Sequence, residues 1–222
     1  SLTVVDQGLL GTYAQYTGFK NRLINSAMVI DQRNAGSAIT VAGFTVDRWY
    51  NYVSASSKAS VGRSTTAPDG FAYSLGVTSS SAYSVTASDY FMLYQGIEGF
   101  NFYDMGWGTA NAKTVTLSFW VRSSLTGTFG GSMQNWNQDR SYPFTYTVNS
   151  ANTWEQKSIT IAGDTSGTWV GASNAGSAEI NFSYGMGSTK SGTAGAWAGA
   201  NYLSATGATS VVGTNGATFY LT

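Results

Sequence analysis

The sequence predicts an all-β fold, a two-sheet antiparallel sandwich of the jelly-roll type. Three observations favour this class. Apolar and polar residues alternate along about ten short segments, which is the period of a strand with one face in a core. Glycine, the main turn residue, occurs 27 times, and 14% of residues are aromatic. No segment gives a convincing helical pattern. An immunoglobulin-like sandwich is the alternative.

The N-terminal residues 1–20 are predicted to form an extended arm, because their apolar residues follow no steady period. We expect this arm to dock on its own domain or on a neighbouring subunit, with a terminus that lacks fixed structure as the alternative. Residues 21–222 are predicted to form the jelly-roll domain, since no internal repeat or domain boundary is evident after residue 21. The chain begins with serine rather than methionine, so a fragment or a processed product is expected.

The predicted strands are separated by short turns, of which Ala67-Pro68-Asp69-Gly70 is the strongest signal. They are 23–30, 39–41, 44–53, 71–77, 89–97, 114–122, 127–134, 142–148, 154–161, 178–184 and 217–221. The long stretch between Gly185 and Gly216 consists mostly of small residues. We expect it to be ordered, because a few larger residues punctuate it and would attach it to the domain; these are Trp197, Tyr202, Leu203, Val211 and Val212.

The strand over residues 114–122 is predicted to be central. Its odd-numbered residues from 115 to 121 are all apolar and would face the core. Trp120 and Arg122 lie on the opposite face. A wall that presents an aromatic ring beside hydrogen-bonding groups suits a saccharide, whose C–H face stacks on the ring.

The composition excludes several classes of function. Basic and acidic residues number 11 each, so no cationic surplus exists for nucleic acid. The chain has neither histidine nor cysteine, which removes Ser-His-Asp and Cys-His catalysis, disulfides, and zinc sites built from these residues. No apolar run reaches 18 residues, so no membrane insertion is expected.

Six segments together resemble the carbohydrate-binding-module-like jelly-roll domains found towards the C-terminus of bacteriophage tail-fibre and other virion structural proteins. The six segments are 21–25, 30–36, 47–49, 95–99, 117–122 and 152–154. The resemblance covers residues 21–222 and implies a location on the phage particle and contact with a host-surface glycan. In that family a strand of Gly-Val-Gln-Leu-Glu character tends to follow the last strand, whereas this sequence stops at Thr222.

The predicted glycan site combines side chains that we expect on the concave side of one sheet. The residues are Trp120, Arg122, Gln95, Glu98, Gln134, Arg140 and Tyr142, with Trp107 and Trp136 at the rim. The alternative is that Trp120 belongs to the core or to an interface and that Arg122 pairs with Glu98. Two further tryptophans, Trp49 and Trp154, are predicted to be structural.

The chain is predicted not to be an enzyme. A glycosidase needs two carboxylates about 5 to 10 Å apart. The candidate pairs are Glu98 with Asp104 and Asp139 with Glu179, but no acid lies in a strongly apolar run that would raise its pKa.

No cofactor is expected, although a structural calcium ion could use oxygen ligands from loop residues. The candidate ligands are Asp31, Asn34, Asp139 and Asp164.

The expected function is therefore glycan binding by a non-enzymatic virion protein. The expected partners are a host-surface polysaccharide and other virion proteins, together with further copies of the chain in a homo-oligomer such as a trimer. The main alternative is a purely structural decoration or assembly module. A polysaccharide depolymerase is the third hypothesis.

Overall fold

The structure, a computed structural model, describes residues 20–222. The prediction of an extended arm therefore lies outside the described residues, apart from Lys20. The strands are β1 (Gly43–Phe44), β2 (Tyr50–Val53), β3 (Ala59–Ser64), β4 (Ser74–Ser79), β5 (Tyr90–Glu98), β6 (Val115–Ser123), β7 (Gly127–Asn135), β8 (Ser141–Val148), β9 (Glu155–Ile161), β10 (Gly176–Met186), β11 (Ser191–Gly192), β12 (Ser204–Ala205) and β13 (Thr218–Leu221). A short helix α1 (Gly99–Phe102) continues into a 3-10 turn (Tyr103–Met105), and a second 3-10 turn spans Ser188–Lys190.

The strands form two antiparallel sheets that face each other, as the sequence predicts. The six-stranded sheet has the order β1-β2-β5-β10-β7-β8, and the five-stranded sheet has the order β3-β4-β13-β6-β9. A small parallel pair, β11-β12, lies apart from both. The prediction of an all-β sandwich of the jelly-roll type is confirmed. Among residues 20–222, no helix is long and apolar enough to span a membrane.

The core lies between the two sheets and is built from the alternating apolar faces of their strands. On β6, the side chains of Leu117, Phe119 and Val121 are buried. The ring of Phe119 contacts that of Phe182 on β10, with ring centroids 4.9 Å apart, which joins one sheet to the other. Trp49 is 2% exposed, so its predicted structural role is confirmed.

Three predicted strands are wrong. Residues 23–30 form turns, and residues 39–41 contribute only an isolated bridge from Ile39 to Val61. Residues 44–53 are interrupted between β1 and β2. In that interruption the backbone N–H of Thr45 donates to the carbonyl of Trp49, and Arg48 takes a positive φ of 76°. The prediction failed here because no glycine or proline marks the turn, and an arginine occupies the left-handed conformation instead.

The stretch after β10 is ordered, as predicted, because its larger side chains insert into the body of the domain. Leu203, Val211 and Val212 are buried. The indole Nε1–H of Trp197 donates to the carbonyl of Ala162 at 2.8 Å. This covering segment, residues 187–213, folds over part of the six-stranded sheet and determines which part of that sheet is free.

Candidate ligand-binding groove

The outer face of the six-stranded sheet is covered at one side and open at the other. The covering segment lies over the β7 side, where Asn201 accepts a hydrogen bond from Gln134 Nε2 at 2.9 Å and Ala200 accepts one from Ser141 Oγ at 2.7 Å. Met92, on the outer face of β5, is only 1% exposed. The open side therefore consists of β1, β2 and the part of β5 from Tyr94 to Glu98, and Tyr90 lies beside β2 at the other end of β5.

The open side carries a strip of aromatic rings. Tyr50 lies directly opposite Tyr94 across the β2–β5 pair, with ring centroids 5.4 Å apart. Tyr52 stacks on Tyr90 at 4.6 Å, and Phe44 meets Tyr50 edge to face at 5.0 Å. Cross-strand aromatic pairs of this kind stabilise the sheet and also leave ring faces at its surface.

Trp136 completes the strip at the end of β7. Its indole is 44% exposed and lies across two glycines, Gly96 on β5 and Gly176 on β10. A Cβ atom at position 176 would be 2.2 Å from the Cε3 atom of the indole, and one at position 96 would be 3.0 Å from Cζ3. A side chain at position 176 would overlap the indole and one at position 96 would crowd it, so the two glycines leave room for the exposed ring against the sheet.

Charged side chains border these rings and complete a groove of about 420 Å³. Arg48 pairs with Glu98 at 2.5 Å and donates to the carbonyl of Gly96 at 3.2 Å. Burial alone would raise the pKa of Glu98, but the hydrogen bond and charge of Arg48 outweigh it and the pKa is lowered. The guanidinium of Arg33 lies 4.8 Å from the centroid of the Phe44 ring. The groove therefore offers ring faces together with fixed donors and acceptors.

A buried acid lies beneath the border between the open and the covered side. Glu179 on β10 is 4% exposed, pairs in register with Gly96, and accepts a hydrogen bond from Gln138 Nε2 at 3.5 Å. Burial raises its pKa to about 7. The pKa of Tyr94 is raised to about 12, first by burial and then by the charge of Glu179. Near neutral pH this carboxyl group can therefore act as a donor as well as an acceptor.

The raised pKa of Glu179 contradicts the prediction that no acid lies in such an environment. Glu179 stands between Ala178 and Ile180, an apolar context that is a sequence signal for burial. The signal was weak because the alternation of residues along the strand assigns Glu179 to the outer face of the sheet. Whether a side chain on that face is buried depends on segments that are distant in sequence.

The structure separates the residues of the predicted glycan site. Gln95 points into the sandwich, where its side-chain amide accepts from the N–H of Ile24 at 2.7 Å and donates to the carbonyl of Ile24 at 2.9 Å. Gln134 is fully buried under the covering segment. Both are corrected to structural roles, because each side-chain amide is used by the chain itself. Glu98 and Trp136, in contrast, line the open groove.

Arg140 and Tyr142 belong to the packing beneath the covering segment. Arg140 forms a bidentate pair with Asp164: Nε donates to Oδ2 at 2.8 Å and Nη2 donates to Oδ1 at 2.7 Å. The ring of Tyr142 contacts that of Trp197 at 5.4 Å. The prediction that they contact a ligand is corrected. Asp164 binds the guanidinium of Arg140, and Trp197 packs against the ring of Tyr142.

Trp107 is not at the rim. It is 5% exposed, its Nε1–H donates to the carbonyl of Lys113 at 2.6 Å, and its ring meets Phe102, Trp169 and Trp197 edge to face. The glycine-rich sequence around it indicated a surface loop. The loop instead folds inward, because several aromatic residues that are distant in sequence form a cluster there.

Trp120 and Arg122 lie on the outer face of the five-stranded sheet, opposite the groove. Arg122 Nε donates to the carbonyl of Asn152 at 2.9 Å, and its guanidinium lies 5.3 Å from the centroid of the Tyr220 ring. The alternative pairing of Arg122 with Glu98 is wrong, since Glu98 pairs with Arg48. Trp120 is half-buried, so it belongs neither to the core nor to the groove.

The acids that the sequence singled out for calcium or catalysis are mostly held by arginines or backbone amides. Asp104 forms a bidentate pair with Arg22 at 2.7 and 2.8 Å, which lowers its pKa. Asp31 accepts from the N–H of Gly36 at 2.6 Å and Asp139 from Asn135 Nδ2 at 2.6 Å. Within residues 20–222, no group of three or more acidic residues could hold a metal ion.

The groove residues that sequence reasoning missed include Tyr50, Tyr94 and Arg48. A signal for the two tyrosines was present, together with their neighbours Tyr52 and Tyr90. The tyrosines at 50 and 52, and those at 90 and 94, each share one face of a predicted strand. Two adjacent aromatic faces at the surface of a sheet are more typical of a binding surface than of a solvated wall.

No protein-family model and no curated protein matches this sequence. Among solved structures, a putative sugar-binding protein from Bacteroides thetaiotaomicron is 10% identical with a TM-score of 0.51, over 91% of this chain and 97% of that one. TmCBM61 in complex with β-1,4-galactotriose is 12% identical with a TM-score of 0.43, over 91% and 94%.

The enzymatically active domain of bacteriophage CBA120 tailspike protein 4 is 14% identical with a TM-score of 0.48. The match covers 90% of this chain but only 20% of that protein. The similarity to the putative sugar-binding protein shows that the two chains share a fold.

Proposed function

We propose that this chain is a non-enzymatic carbohydrate-binding domain of a phage virion protein, and that its open groove binds a host-surface glycan. The observation that carries the proposal is the exposed indole of Trp136. It packs against Gly96 and Gly176 and lines the same groove as Tyr50 and Tyr94. Solved structures of this fold include carbohydrate-binding modules, which supports the assignment of the ligand class.

The groove has the features that saccharide binding requires. A pyranose ring stacks its C–H face on the indole or on Tyr94, while its hydroxyl groups exchange hydrogen bonds with the Arg48–Glu98 pair. The pair is already formed at 2.5 Å, so little side-chain entropy is lost when the ligand binds. The rings that line the groove run from Phe44 and Tyr50 across Tyr94 to Trp136, which suits a chain of several sugar units better than a single one.

We expect the Trp136→Ala variant to bind the host polysaccharide about tenfold more weakly or worse, because a central exposed ring contributes a large share of the binding energy. Isothermal titration calorimetry or affinity electrophoresis would measure the effect. Trp120→Ala is the matched control, since it removes an indole from the opposite face. A loss only for Trp120→Ala would move the site to the five-stranded sheet, and equal losses in both variants would contradict a site confined to the groove.

Glu179 gives a specific reason to test the depolymerase alternative. Its raised pKa suits a general acid, and the turn that holds Gln138 also contains Asp139. We expect no new reducing ends when the protein is incubated with capsule or lipopolysaccharide from a bound host. Release that disappears in the Glu179→Gln variant would establish an enzyme instead.

The position on a phage particle is the part of the proposal that rests on the motif resemblance. Localisation of the chain in intact particles separates the two remaining roles. A location at a fibre tip favours adhesion, whereas a shaft or shell location together with unaltered host adsorption of Trp136→Ala particles favours a decoration module.

A further inference from the structure

A chain of side-chain amides runs from the middle of the six-stranded sheet to the turn between β7 and β8. Asn181 Nδ2 donates to Gln134 Oε1 at 3.0 Å, and Gln134 Nε2 donates to Asn201 Oδ1 at 2.9 Å. Asn201 Nδ2 then donates to Gln138 Oε1 at 3.3 Å, and Gln138 Nε2 donates to Glu179 Oε1 at 3.5 Å. The four amides therefore all donate in one direction, towards the carboxyl group of Glu179.

The two ends of this amide chain are fixed in the sheet. Asn181 and Glu179 both lie on β10, and their exposed fractions are 0% and 4%. Gln134 is also fully buried. Hydrogen bonds that follow one another in a buried place polarise and strengthen each other. The amide chain therefore joins the covering segment and the β7–β8 turn to one rigid strand.

The β7–β8 turn carries the exposed indole of the groove. The backbone N–H of Trp136 donates to the carbonyl of Ser177 at 3.0 Å, which holds the start of the turn. Two residues later, Gln138 takes a positive φ of 57°, an unfavourable conformation for a residue with a Cβ atom. Such a conformation persists only where the surroundings enforce it. Here the side-chain amide of Gln138 is held on one side by Asn201 and on the other by Glu179.

We propose that Gln138 and Asn201 are positioning residues for the glycan groove, which neither of them lines. They hold the turn in the conformation that places the indole of Trp136 against the sheet. A ring that is already in place loses less conformational freedom when a ligand stacks on it. Asn201 belongs to the covering segment, 63 residues beyond Gln138, so this segment contributes to affinity without touching the ligand. The inference rests on the proposed function, because it concerns the same groove.

Two variants break the amide chain at different places. Gln138→Gly removes both links of this amide, and glycine adopts the left-handed conformation readily, so the backbone of the turn keeps its shape. Asn201→Leu breaks the amide chain within the covering segment. Thr189→Val is the matched control, because Thr189 Oγ1 donates to the carbonyl of Ala87 at 2.7 Å and anchors the same segment elsewhere.

The indole N–H signals in NMR spectra of the unliganded protein test the positioning without any glycan. A Trp136→Phe variant assigns the signal of Trp136. We expect this signal to shift and broaden in Gln138→Gly and in Asn201→Leu, and to stay unchanged in Thr189→Val. The indole signal of Trp120, on the opposite sheet, should stay unchanged in all three and reports that they are folded. An unchanged Trp136 signal in both chain-breaking variants would overturn the inference.

Calorimetric titration then measures the effect on affinity, with the polysaccharide that the parent protein binds most strongly on an array of bacterial capsules and lipopolysaccharides. Gln138→Gly and Asn201→Leu should each bind about three- to tenfold more weakly, and Thr189→Val should bind like the parent. Normal affinity in both chain-breaking variants, with a loss in Trp136→Ala, would overturn the inference and leave the proposed function intact. Normal affinity in Trp136→Ala would reject the proposed groove itself, while the NMR comparison still decides whether the amide chain positions the indole.

Discussion

Replacing Arg140 with alanine should lower the free energy of unfolding by about 3–5 kcal/mol, the usual result of breaking a buried ion pair. Asp164 is 1% exposed, and its carboxylate accepts two hydrogen bonds from the guanidinium of Arg140. Without the guanidinium, the carboxylate would keep only the bond from the N–H of Ser166 at 3.1 Å. Urea unfolding at pH 7 would measure the change.

The double variant Arg140→Ala/Asp164→Asn separates the uncompensated charge from the lost packing. We expect it to be more stable than Arg140→Ala alone, because asparagine removes the buried charge that the single variant leaves behind. The folded fraction of Arg140→Ala should bind glycan normally, since Arg140 lies outside the groove. A stability change below about 1 kcal/mol would contradict the structural role assigned to this pair.

Raising the pH from 5 to 9 should destabilise the protein by about 3 kcal/mol through Glu179, and the Glu179→Gln variant should lose most of this dependence. The ordinary pKa of this carboxyl group is 4.5, and burial raises it to about 7 in the folded chain. The folded state therefore holds the proton more tightly than the unfolded state does. The resulting stabilisation is complete below pH 4.5 and is lost as the pH rises through about 7.

The pKa values of four other carboxyl groups, those of Asp89, Glu98, Asp104 and Glu155, shift in the opposite direction and do not interfere in this range. Burial would raise the pKa of Asp89, but hydrogen bonds from Ser54, Thr86 and Tyr83 outweigh it and lower the pKa to about 2. The pKa of Glu155 is also about 2, since the bonds from Lys157 and the 149–150 turn outweigh burial. Their contributions are present above their ordinary pKa values and are lost only in acid.

Glu155→Gln is accordingly the matched control for Glu179→Gln. It should keep the loss of stability between pH 5 and pH 9, whereas Glu179→Gln should be clearly more stable than the parent chain at pH 9. Urea unfolding curves at both pH values give the comparison. Parallel pH profiles for the parent and Glu179→Gln would show that Glu179 is already ionised in the folded protein at neutral pH.

The fold was predictable from the sequence because its determinants are local. The alternation along residues 114–122 or 142–148 reports which side chains share a face, and a strand has only two faces. The absence of histidine and cysteine removed whole classes of chemistry without reference to any fold. The anchoring of the 187–213 segment was also predictable, since Leu203 and the Val211-Val212 pair would otherwise be exposed to water.

The binding surface was not predictable, because alternation does not say whether an outward face is free. Tyr94 and Gln134 both lie on the outer face of the same sheet, yet one lines the groove and the other is sealed by a segment more than sixty residues away. Trp107 and Trp136 both follow glycine-rich or asparagine-rich sequence, and only long-range packing buries the first and exposes the second. The sequence alone determined the sandwich and the two sides of each strand, whereas the tertiary structure decided which outward side chains meet solvent, since that depends on contacts between residues far apart in the chain.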